Sequence, residues 1–148
     1  MTDFNGGAFY FGYDALGRRT NLTRPNAVTT SYQYDALSRL LSILHQSSAF
    51  NGGTTYAYDA AGNRTSRTDT FQLAGQNPTQ TATNYSYDAI YELTQAVVNG
   101  TPAETYTYDA VGNRLSSLGV PSYAYNSTNE LTAASPATFT YDANGNTL

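Results

Sequence analysis

The sequence predicts an all-β fold: antiparallel β-hairpins of about 20 residues, stacked into a curled or spiralling repeat sheet, a β-solenoid-like arrangement. Three observations carry that reading. The dipeptide Tyr-Asp recurs at Tyr13-Asp14, Tyr34-Asp35, Tyr58-Asp59, Tyr87-Asp88, Tyr108-Asp109 and Tyr141-Asp142, with Tyr125-Asn126 as a close variant. Successive anchors lie 21, 24, 29, 21, 17 and 16 residues apart, a spacing that suits small stacked supersecondary units better than one irregular core. Two residues before each anchor stands another aromatic: Phe11, Tyr32, Tyr56, Tyr85, Tyr106, Tyr123 and Phe139. Side chains at i and i+2 share one face of a strand.

Each unit reads as strand, turn and return strand. Stretches such as Thr54-Thr55-Tyr56-Ala57-Tyr58 and Glu104-Thr105-Tyr106-Thr107-Tyr108 favour extended backbone. Four anchors open the turns Asp14-Ala15-Leu16-Gly17, Asp59-Ala60-Ala61-Gly62, Asp109-Ala110-Val111-Gly112 and Asp142-Ala143-Asn144-Gly145. Asp first and Gly fourth is the preference of a type I turn closed by a left-handed residue, which returns the chain with a bulge. The other three units carry Ser38, Tyr91 and Asn129 in place of Gly, and the same three show Leu40, Leu93 and Leu131 two residues later. The Gly units have Arg19, Arg64, Arg114 or Thr147 there. This coincidence predicts two turn variants, with and without the bulge, whose returning strands differ in face by one residue.

Between hairpins, Thr23-Arg24-Pro25-Asn26, Phe50-Asn51-Gly52-Gly53, Asn99-Gly100-Thr101-Pro102 and Gly119-Val120-Pro121 read as turns. The longest spacer, Leu73 to Thr83, is expected to be a mobile excursion from the sheet. The cluster Leu40-Leu41-Ser42-Ile43-Leu44, five apolar-rich residues between repeat strands, is expected to be a strand. Residues 1–148 thus read as a single array of seven units. Up to fourteen strands at about 4.8 Å each would span roughly 65 Å. Open twisted sheets seldom pass about ten strands, so this one should curl, spiral or break into pieces.

Composition excludes several functions. The chain has no Cys, and hence no disulfide scaffold, thiol chemistry or Cys-based zinc site. Seven Arg and no Lys against eleven acids give no basic stripe for nucleic acid. No apolar run approaches the length of a membrane span, and the start, Met1-Thr2-Asp3-Phe4-Asn5-Gly6-Gly7, has neither the basic head nor the apolar core of a signal peptide. His45 is the only His, which leaves no His relay or His metal pair, and no cofactor is expected. In Asp142-Ala143-Asn144-Gly145-Asn146 the alternate oxygens could suggest calcium. The other Asp-headed units put Leu, Ala, Val or Ile at the middle position, so the Asp is read as a turn cap. An acid at equivalent positions of every repeat argues for structure over catalysis. Asn63, Arg64, Asn113 and Arg114 beside exposed tyrosines could hydrogen-bond a sugar; the plainer expectation is that Arg stems cover Tyr rings while their heads pair with turn Asp.

These residues resemble the YD-repeat, or RHS-repeat, family. Tyr13-Asp14-Ala15-Leu16-Gly17-Arg18-Arg19-Thr20, Tyr58-Asp59-Ala60-Ala61-Gly62-Asn63-Arg64-Thr65 and Tyr108-Asp109-Ala110-Val111-Gly112-Asn113-Arg114-Leu115 look like near-consensus copies of its motif. The resemblance runs from about Phe11 to the end of the chain. It implies a spiralling sheet of hairpins, as in the shells that bacterial RHS proteins and insecticidal toxin complexes form around toxic polypeptides, and in the related barrel of the teneurins. It also implies a non-enzymatic module, a segment of a larger shell that encloses a polypeptide or acts in surface interaction, exported or at the cell surface within a longer protein. The chain is short for such a shell and lacks the Asp-Pro-x-Gly signature that closes many of them. On this reading Tyr13, Asp14, Gly17, Tyr34, Asp35, Tyr58, Asp59, Gly62, Tyr87, Asp88, Tyr108, Asp109, Gly112, Tyr125, Tyr141, Asp142 and Gly145 carry the scaffold, and no residue is catalytic. Partners would be neighbouring repeats, other copies joined through edge strands, an enclosed polypeptide or a glycan. A carbohydrate-binding repeat using exposed Tyr is the alternative, weakened by the absence of Trp.

Overall fold

Aromatic and Thr-rich segments alternate with Asp-headed turns throughout, and every regular element among the described residues is a strand. The computed structural model describes Thr2 and residues 6–148. Contacts divide the chain into two units, 1–83 and 84–148.

The first unit holds β1 (Tyr10–Tyr13), β2 (Arg19–Thr23), β3 (Thr29–Tyr34), β4 (Leu40–Gln46), β5 (Phe50–Tyr58), β6 (Arg64–Leu73) and the start of β7 (Thr79–Tyr87). The second holds the rest of β7, then β8 (Leu93–Val98), β9 (Thr101–Tyr108) and β10 (Arg114–Ser117). A separate three-stranded sheet comes next, built from β11 (Tyr123–Tyr125), β12 (Leu131–Ala134) and β13 (Ala137–Thr138). Hydrogen-bonded neighbours follow chain order in both units, with no crossover. Within the second unit the ladder breaks after β10. The fold class is that of an all-β array of antiparallel hairpins.

The two expected turn variants are absent. Ser38, Tyr91 and Asn129 adopt φ of 64°, 70° and 61°, the left-handed conformation that Gly17, Gly62, Gly112 and Gly145 reach at 75°, 98°, 87° and 81°. In all seven turns the first residue's N–H donates to the carbonyl four residues on at 2.9–3.0 Å. The fourth residue's N–H donates back to the first carbonyl at 3.0–3.2 Å. The register agrees: Tyr13 faces Arg19, Tyr34 faces Leu40, Tyr58 faces Arg64, Tyr108 faces Arg114, Tyr125 faces Leu131 and Tyr141 faces Thr147. One turn geometry therefore serves all units, and the non-Gly residues accept the left-handed position. The backbone bonds and the cap described below hold it there, so Gly is a preference and not a requirement. The Leu and Arg residues occupy one equivalent site.

Two spacers also differ from expectation. Phe50-Asn51-Gly52-Gly53 is not a turn but the start of β5; the turn lies just before it, where the Ser47 N–H donates to the Phe50 carbonyl at 2.9 Å. Nor is Leu73 to Thr83 an excursion. β6 extends to Leu73 and β7 starts at Thr79, so hairpin pairing absorbs the spacer and only a short turn remains. The glycines of β5 are needed for close strand approach: a Cβ on Gly53 would stand 2.1 Å from the Ile43 carbonyl oxygen. The Leu40 cluster is the strand β4, as expected.

Little of this structure is fully buried. Leu22 and Ala96 are the buried apolar residues among those described, and Thr30 and Ser42 the buried polar ones. Tyr32, Tyr34, Tyr56, Tyr58, Tyr85, Tyr87, Tyr106, Tyr108, Tyr123 and Tyr125 are half-buried, so the aromatic pairs form a shared layer and not an enclosed core.

Candidate functional site

The repeated chemistry lies in the turns and on the strand face that carries the tyrosines. Each turn is built around its first side chain. One carboxylate oxygen of Asp14 accepts the N–H groups of Leu16 (3.0 Å) and Arg18 (2.9 Å), and the other accepts Arg18 Nε at 2.7 Å. Asp35 repeats this with Leu37, Arg39 and Arg39 Nε at 2.9, 2.9 and 2.6 Å. Where Asn replaces Arg, its amide takes the outer oxygen: Asn63 on Asp59 at 2.9 Å, Asn113 on Asp109 at 3.0 Å and Asn146 on Asp142 at 2.9 Å. Asn126 caps its turn in the same manner, accepting the Thr128 and Glu130 N–H groups at 3.0 Å each.

These donors hold the turn carboxyls below their ordinary range. For Asp59, Asp109 and Asp142 the amide of the following Asn is the main cause. For Asp14 and Asp35, loss of hydration pushes upward, but the Arg18 and Arg39 bonds and the backbone N–H groups outweigh it. Asp88 is lowered chiefly by the Glu92 backbone N–H. Glu92 itself goes the other way: loss of hydration, a hydrogen bond with Asp88 and the charges of Asp88 and Asp109 raise it. In Asp142 all these acceptor positions are occupied by N–H donors, the arrangement of a turn cap.

Adjacent hairpins are joined by three recurrent contacts. The residue after the left-handed position reaches the next turn: Arg18 Nη1 donates to the Asp35 carbonyl at 3.1 Å and to Ser38 Oγ at 3.0 Å. Arg39 Nη1 donates to the Asp59 carbonyl at 2.9 Å, and Asn113 Nδ2 to Asn129 Oδ1 at 3.1 Å. The same arginines lie over the next anchor ring, Arg18 at 4.8 Å from Tyr34 and Arg39 at 4.9 Å from Tyr58. Finally, the anchor hydroxyl donates back to the preceding hairpin. Tyr58 bonds the Leu40 carbonyl at 2.9 Å, Tyr108 that of Leu93 at 2.8 Å, Tyr125 that of Arg114 at 3.0 Å and Tyr141 that of Leu131 at 2.7 Å. Sequence reading missed the first and third of these. A signal was available for the first, since this position is Arg18, Arg39, Asn63, Glu92, Asn113, Glu130 or Asn146, a hydrogen-bonding side chain in every unit.

Arg18 and Arg39 combine the two expected Arg roles, pairing with the turn Asp while lying over the next anchor ring. Arg19, Arg64 and Arg114 do not pair with a turn Asp in this way and stack on the aromatics of their own hairpins, Phe11 at 5.1 Å, Tyr56 at 5.8 Å and Tyr106 at 4.4 Å. His45 belongs to a different cluster, its Nδ1 lying 2.8 Å from the hydroxyl of Thr30, which also accepts Arg24 Nη1 at 2.7 Å. Thr30 is fully buried, so this is a polar tie inside the first unit and not an accessible nucleophile. Beside it an open hollow of about 220 Å³ lies over Gly52 and Gly53.

Residues 72–148, more than half of the chain, match the teneurin YD-shell family. The chain belongs to that family. Residues 13–48 separately match the RHS repeat, so the YD-shell and RHS descriptions fall on different hairpins of one sequence. No curated protein sequence matches the chain. Similar solved structures include that of TcdB2-TccC3-TEV, at 17% identity and TM-score 0.44, covering 96% of this chain and 9% of that one. TcdB2-TccC3 without its hypervariable C-terminal region stands at 17% and 0.40, covering 96% and 11%. The Photorhabdus luminescens Tc holotoxin pore gives 16% and 0.35, covering 94% and 11%. The chain spans about a tenth of the length of these solved chains. As a YD-shell repeat segment, it is a structural repeat in kind.

Proposed function

We propose that this YD-shell segment is a non-enzymatic scaffold, one stretch of a larger shell that encloses a toxic or other polypeptide, exported or surface-displayed as part of a longer protein. The observation that carries the reading is the joint between hairpins. Arg18, Arg39 and Asn113 of the turns and the hydroxyls of Tyr58, Tyr108, Tyr125 and Tyr141 find partners on the adjacent hairpin, so these units are built to have a neighbour. Tyr, Asp and the left-handed fourth residue of each turn are the positions that carry it.

The carbohydrate alternative gains nothing here: Arg side chains cover several tyrosine rings, and carbonyls occupy several tyrosine hydroxyls.

The test is limited proteolysis of the polypeptide as the cell makes it, read by mass spectrometry. An enclosed segment should survive protease concentrations that digest it when it is expressed alone. Equal digestion rates in the two settings would refute encapsulation.

A further inference from the structure

Of the seven arginines, six are matched by an acid or an aromatic ring. Arg18, Arg39 and Arg67 are ion-paired with Asp14, Asp35 and Asp69. Arg19, Arg64 and Arg114 lie over Phe11, Tyr56 and Tyr106. Arg24 has neither. Its side-chain partner among the described residues is a neutral hydroxyl, that of Thr30, which accepts Nη1 at 2.7 Å. Thr30 is fully buried, and its hydroxyl also meets His45 Nδ1 at 2.8 Å. Because the Thr30 oxygen accepts from Arg24, its single proton goes to His45, which places the ring proton of the neutral imidazole on Nε2. The guanidinium is thus held from behind by a buried atom, while its Nε–Nη2 edge has no partner among the described residues.

The space beside that side chain is shaped for a ligand. Arg24, half-buried, shares an open hollow of about 240 Å³ with Phe9, Pro25 and Asn26, all of them in the first unit. Asn26 Oδ1 accepts the Val28 N–H at 3.3 Å, which orients the amide and leaves its N–H groups as further donors. Phe9 and Pro25 supply apolar walls. A half-buried cation without a counter-charge is costly, and an anion offsets that cost. One guanidinium and one amide match a single negative charge; a phosphate dianion would stay half unpaired. The planar Nε–Nη2 edge fits the two oxygens of a carboxylate. We propose that this hollow binds a small organic monocarboxylate, its carboxylate on Arg24 and Asn26 and its apolar body against Phe9 and Pro25. The volume lies below that of drug-sized sites and suits a single ring. The site does not depend on encapsulation.

Benzoate is the probe, titrated into the full chain at pH 7 and followed by proton–nitrogen correlation NMR. The Arg24 Nε–H, the Asn26 side-chain amide and the His45 ring nitrogens are the reporters. Saturable shifts are expected, with a dissociation constant of roughly 1–10 mM for a ligand of this size. Acetate, which keeps the charge without the ring, should bind about threefold to tenfold more weakly. Benzyl alcohol, which keeps the ring without the charge, should not saturate. Arg24→Gln should abolish binding, Asn26→Ala should weaken it about threefold, and Arg67→Gln should leave it unchanged. Circular dichroism confirms the fold of each variant. If Arg24→Gln misfolds, Arg24→Lys keeps the charge without the planar edge and should bind about fivefold more weakly. Absence of saturable shifts overturns the proposal, as does binding that persists in a folded Arg24→Gln chain. Acetate or benzyl alcohol binding as tightly as benzoate, or inorganic phosphate binding more tightly, overturns it too.

Discussion

Replacing Tyr91 by Gly tests the single turn geometry. Tyr91 holds φ of 70°, where an L side chain crowds the carbonyl at a cost of about 1–2 kcal/mol. Its side chain is 62% exposed, so truncation sacrifices little packing. Glycine removes the strain but adds unfolded-state freedom, which takes back about 0.5–1 kcal/mol. Tyr91→Gly should therefore stabilise the chain by about 0.5–1 kcal/mol, raising Tm by roughly 1–4 °C for a domain of this size. Ser38 is a poorer choice, because its hydroxyl accepts Arg18 at 3.0 Å. Asn129→Gly should be close to neutral, since Asn tolerates the left-handed region. Gly62→Ala, at φ of 98° with open space around it, should lose about 1 kcal/mol. Thermal unfolding followed by circular dichroism reads all three. A clear destabilisation by Tyr91→Gly, or none by Gly62→Ala, would refute the shared left-handed position.

Other consequences are equally direct. Gly53→Ala must push against the Ile43 carbonyl oxygen, 2.1 Å from the new Cβ, and should cost about 1–3 kcal/mol in chemical denaturation. Tyr58→Phe removes the hydroxyl bonded to the Leu40 carbonyl and should cost about 0.5–1.5 kcal/mol, measured the same way. The turn Asp groups have folded pKa values lowered from 3.8, so their stabilisation is complete above that value and is lost as pH falls below it. Glu92 is raised from 4.5, so its ionised form opposes folding as pH rises through that range and beyond. Glu92→Gln should stabilise at pH 7 and make no difference at pH 3, as thermal melts at the two values will show. Self-association through uncovered edge strands should appear as a concentration-dependent mass in light scattering; a strict monomer at high concentration would count against it.

The fold was legible because the signals that specify it are local and repeated. Aromatics at i and i+2 fix the face of each strand, and Asp at the head of the turn fixes its cap, so Asp14 and Asp142 could be read alike without knowing their surroundings. The features that escaped were consequences of contact between units. Ser38, Tyr91 and Asn129 looked like a different turn because propensity favours Gly at positive φ; the cap and two backbone bonds outweigh that preference. The Gly52-Gly53 pair looked like a turn for the same reason, although Gly53 answers to the backbone of β4 and Gly52 to that of β6. The donor roles of Tyr58 and Tyr108 were invisible because the accepting carbonyls belong to the preceding hairpin, 18 and 15 residues away. Arg18 and Arg19 are adjacent and chemically identical, yet Arg18 pairs with its turn Asp and lies over Tyr34, whereas Arg19 lies over Phe11 and Tyr32.

The shared geometry also gives the pairing of Leu with non-Gly turns a different meaning. Taken in order, the fourth turn residues are Gly17, Ser38, Gly62, Tyr91, Gly112, Asn129 and Gly145, and the residues opposite the anchors are Arg19, Leu40, Arg64, Leu93, Arg114, Leu131 and Thr147. Both series alternate without exception through the first six units, so the underlying repeat is two hairpins long. Electrostatics supplies a reason. Arginines on every hairpin would stand two strands apart, about 9.6 Å, close to the Debye length at physiological salt, where like charges still repel. With Leu40 between them, Arg19 and Arg64 are four strands apart, about 19 Å, and the repulsion is largely screened. An array grown by duplicating single hairpins would break this alternation, whereas growth by pairs preserves it, so two hairpins are the period of the sequence.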